Sequence, residues 1–67
     1  MRLQINGDAL EVPDHVATVT ELLEHFQLGN KMLVVELDGV ILDRNVHGDT
    51  RLPAGSKIEI VHFVGGG

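Results

Sequence analysis

Polar and apolar residues alternate from Arg2 to Ile5, which puts Leu3 and Ile5 on one face of a predicted strand. Asn6-Gly7 follows, a dipeptide suited to the two positive φ angles of a type I′ hairpin turn. Ala9 to Val12 returns with Leu10 and Val12 in register, and Pro13 ends the ladder because it has no N–H to donate. Thr18-Val19-Thr20-Glu21 has the form of a capping box, in which hydroxyl and carboxylate satisfy amide donors at a helix start. Behind it Val19, Leu22, Leu23 and Phe26 recur at i, i+3, i+4 and i+7, the stripe of an amphipathic helix of about three turns. Gly29 or Asn30 can supply the left-handed residue that closes it.

Met32 to Leu37 is an aliphatic run, Asp38-Gly39 a second tight turn, and Val40 to Leu42 its return strand. Asp43 to Arg51 is polar and reads as a loop with room for one short helical turn. Pro53 to Ser56 is a turn by composition, and Lys57 to Val64 is the most strand-like segment of the chain. The order is two strands, a helix, two strands and a last strand. One amphipathic helix covers one face of a mixed sheet, and the last strand, being the most apolar, belongs in the centre beside the first. That is an α+β fold of the β-grasp type, with residues 1–64 as the domain and residues 65–67 as a flexible tail.

Size narrows the functional possibilities. Ordering 67 residues costs roughly 100 kcal/mol at about 1.5 kcal/mol each, and burial must offset it. Little surface is left for a deep catalytic cleft. Ten acidic against five basic residues give a net charge of −5. The bases (Arg2, Lys31, Arg44, Arg51, Lys57) are scattered, so neither nucleic acid nor an anionic membrane is an expected partner. A basic protein partner suits this charge. There are no cysteines, which excludes disulfides, thiolate-held metals and a thiol nucleophile. Met1 leads directly into a strand pattern and no apolar run approaches the ~18 residues of a membrane span. The cytoplasm is the expected compartment.

His15, His25, His47 and His62 are the candidates for a metal site or a general base. No two have the spacing that aims both at one ion from a helix. They read as surface or structural histidines, with His15 and His47 in loops and His25 on the solvent side of the helix. No calcium loop is present, and Ser56, the only serine, lies in a turn. No catalytic constellation, bound cofactor or metal is expected.

The end of the chain stands apart. At a glycine usage of about 7%, three terminal glycines arise by chance in roughly 3 chains in 10,000. Gly65, Gly66 and Gly67 follow a strand with no linker serines. Extended, they make a rod about 10 Å long without side chains, able to enter a narrow channel and present its carboxylate. In the strand before them, Ile58, Ile60, His62 and Val64 share one face and Glu59, Val61 and Phe63 the other. With the isoleucines under the helix, His62 is partly buried, and Val61 and Phe63 stand on the uncovered face as a protein docking site. A β-bulge would instead flip the register and bury Phe63.

With these residues in view, the chain resembles the sulfur carrier family of thiamine biosynthesis, a ubiquitin-like β-grasp family. The resemblance spans essentially the whole chain. Its specific part is the ending Ile58-Glu59-Ile60-Val61-His62-Phe63-Val64-Gly65-Gly66-Gly67; Leu52-x-x-Gly55 and Val19-x-x-Leu22-Leu23 are generic. Ser56 stands where an aspartate often follows the glycine, and Leu37 where many members place an asparagine. The family implies a carrier, not an enzyme. An E1-like adenylyltransferase, using ATP, would adenylate the Gly67 carboxylate, and a sulfur donor protein would convert it to a thiocarboxylate. Thiazole synthase would then take the sulfur. Gly65 and Gly66 would be the spacer, and Val61, Phe63 and Val64 the partner interface. Two other readings are the small subunit of molybdopterin synthase, with the same chemistry, and a non-covalent β-grasp interaction module.

Overall fold

Two left-handed dipeptides fold the two halves of the chain. Asn6 and Gly7 have φ of 50° and 88°, and Asp38 and Gly39 have 48° and 85°, as a type I′ turn requires. The first turn joins β1 (Arg2–Ile5) to β2 (Asp8–Glu11), and the second joins β3 (Leu33–Leu37) to β4 (Val40–Leu42). Between the hairpins runs α1 (Val19–His25), and β5 (Lys57–His62) closes the fold. This computed structural model describes residues 1–29 and 31–63. The expectations for Val64 and for the Gly65, Gly66 and Gly67 tail therefore lie outside the described residues.

The five strands form one sheet in the order β2-β1-β5-β3-β4. β5 is central, parallel to β1 and antiparallel to β3, where its apolar sequence placed it. The β3–β5 register runs without interruption from Leu37 opposite Ile58 to Leu33 opposite His62, so no bulge flips the strand among the described residues.

The helix starts as the capping box foretells. The Thr18 hydroxyl accepts from Glu21 N–H, and the Glu21 carboxylate accepts from the N–H groups of Ala17 and Thr18. The bonds to the carboxylate, that from Ala17 N–H foremost and next that from the Thr18 hydroxyl, hold the Glu21 carboxyl below its ordinary range. The next orphan donors are met from the long loop: Val19 N–H reaches Thr50 O and Thr20 N–H reaches His47 O. Within that loop Arg44–Val46 makes one 3-10 turn.

The end of the helix departs from expectation. α1 has seven residues, about two turns, and Phe26 is its exposed C-cap. The left-handed closing residue is Gln27, with φ of 60°. Leu28 N–H bonds to Leu23 O and Gln27 N–H to Glu24 O, which is the paired pattern of a Schellman motif. Closing two residues early turns the chain so that Leu28, in place of Phe26, packs on the core.

Leu3, Ile5, Val35 and Ile58 from the sheet meet Val19, Leu22 and Leu23 from the helix, and Val12, Val16 and Leu52 seal the sides. A two-turn helix would not hold in isolation; this burial holds it. It also covers only the middle of the sheet, and on the outer strands Leu10 and Val40 remain exposed.

Candidate functional site

β5 is held differently along its length. At its start, Asp38 N–H donates to Lys57 O at 2.8 Å, and Lys57 N–H donates to the Asp38 carboxylate at 2.9 Å. The turn side chain thus replaces the next backbone acceptor of the β3–β5 ladder. On the other side, β1 turns away after Ile5, but the Asn6 amide continues its ladder. Ile60 N–H donates to Asn6 Oδ1 at 2.7 Å, and Asn6 Nδ2 donates to Ile60 O at 3.2 Å. The first residue of each hairpin turn therefore pins the central strand. After Ile60, among the described residues, only β3 accompanies it, with Phe63 N–H donating to Met32 O at 2.9 Å.

The side chains divide at the same point. Ile58 is fully buried and Ile60 packs against the core, whereas Val61 and Phe63 are 49% and 50% exposed. Both stand on the face away from α1. Val61 lies opposite Val34, and the bond between Phe63 and Met32 continues the register by one pair. Met32 and, on β4, Ile41 are also strongly exposed. By register Met32 lies beside Phe63, while Ile41 lies on the same face opposite Glu36. Glu36 and Glu59 stand on that face directly opposite each other. Like charges so placed are unfavourable, and among the described residues neither acid has an ion-pair partner. The face combines the apolar Val61 and Phe63 with a mainly acidic border of Glu36, Glu59 and Asp38, in which Lys57 is the one base among the described residues.

His62 is exposed rather than partly buried, because its end of the strand runs beyond the cover of the short helix. His15 and His25 are exposed as well, while His47 is only 6% exposed. Its backbone caps α1, and its Nε2 has no hydrogen-bond partner among the described residues. Ser56 Oγ is likewise buried and unpartnered. Leaving such an atom unpaired costs about 1–3 kcal/mol. Among the described residues no group of three or more His, Asp or Glu is placed to hold a metal ion, and no helix is long and apolar enough to cross a membrane.

The ladder roles of Asn6 and Asp38 and the places of Met32 and Ile41 on the open face were not anticipated from sequence. The signal for the first two was present, since Asn and Asp at a turn carry side-chain groups able to mimic backbone. Gly67, Gly66, Gly65 and Val64 follow directly on Phe63 in sequence, outside the described residues.

Residues 2–67 match the ThiS family. The sulfur carrier protein ThiS of Bacillus subtilis (strain 168) is 38% identical over 65 residues, which cover 97% of this chain and 98% of that protein. The crystal structure of the thiamine biosynthesis protein ThiS from Geobacter metallireducens superposes with a TM-score of 0.83 at 33% identity, covering all of both chains. A solution structure of a thiamine biosynthesis protein from the same organism gives 0.82 at 33% identity, covering all of this chain and 88% of that one.

Proposed function

The chain belongs to the ThiS family, and on that footing we propose that it carries sulfur for thiamine biosynthesis as a thiocarboxylate on Gly67. It is a co-substrate with no catalytic residue of its own. The carboxylate oxygen of Gly67 attacks the α-phosphorus of ATP on an E1-like adenylyltransferase, and pyrophosphate leaves. A sulfide equivalent from a sulfur donor protein then attacks the acyl carbon of the adenylate, and AMP leaves. The product is a thiocarboxylate whose sulfur is the stronger nucleophile. Thiazole synthase takes that sulfur as the acyl C–S bond breaks, an oxygen from the acceptor or from water replaces it on the acyl carbon, and the carboxylate is regenerated for another round.

The observation that carries this reading is the placement of the glycine ending. Gly65-Gly66-Gly67 follows at once on a strand end whose Val61 and Phe63 are half exposed on an open sheet face. A partner can hold the body by that face while the glycines, lacking side chains, reach a buried centre. Val61, Phe63 and Val64 are the docking contacts, and Gly65 and Gly66 the spacer. The acidic border suits a partner with a cationic rim. The names of the similar proteins favour thiazole formation over the pterin reading.

Removal of Gly67 tests the proposal. The shortened chain is expected to fold and to bind the adenylyltransferase, yet to deliver no sulfur to thiazole synthase. Undiminished sulfur delivery without Gly67 would contradict the assignment of the carried sulfur to that residue.

A further inference from the structure

A second feature lies between the exit of α1 and the 3-10 turn. A cavity of about 360 Å³ opens there, with Leu23, Leu28, Met32 and Leu33 as its apolar wall and Lys31, Arg44 and His47 as its polar one. The volume falls within the range of small-molecule sites, about 300–1,000 Å³.

Its charge runs against that of the chain. Ten of the 67 residues are acidic, yet none of them lines this cavity, while two of the five basic residues do. Glu24 is the acid of the adjoining groove, on the side of Gln27. Among the described residues neither Lys31 nor Arg44 makes an ion pair. They come from opposite sides, one from the α1–β3 connection and one from the 3-10 turn. His47 also lines the cavity, but its Nε2, unpartnered among the described residues, is closed off from solvent and lies out of a ligand's reach.

We propose that this cavity binds a small organic anion, its charged head held by Lys31 and Arg44 and its apolar body against Leu23, Leu28, Met32 and Leu33. Guanidinium and ammonium groups together suit a phosphate or carboxylate head. The site adjoins the last strand's free end through Met32 and Leu33, but it does not depend on the sulfur-carrier reading.

The test is a titration of the full chain with phenyl phosphate, followed by backbone amide chemical shifts. Saturable shifts are expected at residues 20, 28, 31–33 and 44–47. Inorganic phosphate, which lacks the body, and benzyl alcohol, which lacks the charge, should each bind at least about tenfold more weakly. The double variant Lys31→Gln with Arg44→Gln changes only exposed side chains and should keep the fold while weakening phenyl phosphate about tenfold or more. Benzoate repeats the titration with a carboxylate head, and tighter binding by either compound supports the site and identifies the preferred head group. Shifts scattered over the surface would overturn the proposal. So would equal binding of benzyl alcohol, or undiminished affinity in the folded double variant.

Discussion

From Lys57 to Ile60 the last strand has a neighbour on each side, and its two isoleucines lie beneath α1. From Val61 to Phe63 it keeps, among the described residues, β3 alone, and its apolar side chains face water. Hydrophobic content does not separate the two stretches; cover does. The first hairpin accompanies β5 only as far as the Asn6 amide can reach, and the two-turn helix stops short of the same end. One strand is thereby rooted in the core at its start and free on one edge and one face at its finish. A carrier needs that combination, because the body must stay folded while its end enters another protein.

Substitutions in the two halves should separate folding from docking. The largest effect is expected at Ile58, which is fully buried. Ile58→Ala should cost about 2–5 kcal/mol, comparable to the whole stability of a domain this small, about 3–5 kcal/mol. Urea denaturation should show a chain largely unfolded or nearly so. In the exposed half, Phe63→Asp should leave the unfolding free energy from urea denaturation within about 0.5 kcal/mol of the parent. It should weaken binding to the adenylyltransferase by about tenfold or more, as loss of an aromatic anchor does. If Phe63→Asp unfolds the domain instead, Phe63 belongs to the core and the docking face is lost with it.

The boundary between the halves has its own test. Asn6→Gly keeps a residue at ease at φ of 50° and removes only the side chain that holds Ile60. A loss of about 1 kcal/mol is expected, with faster hydrogen exchange at Ile60 than at Ile58. Equal exchange at both amides would show that the Asn6 amide does not set the boundary. The smallest effect belongs to the helix start. The folded Glu21 carboxyl titrates below its ordinary value of 4.5. Its stabilisation is therefore complete above about pH 4.5 and disappears as the pH falls through the lower folded value. Glu21→Gln should be less stable than the parent at pH 7, and the difference should shrink toward pH 3 in urea titrations. A difference that does not change with pH would assign the capping contribution to something other than charge.

Much of this division was legible in the residues themselves. Asn6-Gly7 and Asp38-Gly39 announce their turns because few dipeptides tolerate two positive φ angles, and the alternation in β5 already put Val61 and Phe63 on one face. The helix end was not legible. Phe26 fits the apolar stripe by spacing, but a glutamine in the left-handed conformation cuts the helix short of it, and no local rule favours Gln27 over Gly29. His62 was misjudged for a related reason, since alternation gives the face of a residue and not how far the cover extends. His47 sits in a polar loop with no periodicity to mark it. Its burial comes from the loop returning to cap α1, a contact between residues far apart in sequence.

The central claim is that Gly67 accepts sulfur, and intact mass measures it most directly. The full chain would be incubated with ATP, sulfide and its adenylyltransferase, then weighed. The account predicts a gain of about 16 Da, one oxygen replaced by a sulfur that reacts as its anion, absent when ATP is omitted. A chain that keeps its mass with an enzyme shown to adenylate another carrier, or that gains sulfur at a residue other than Gly67, would contradict it.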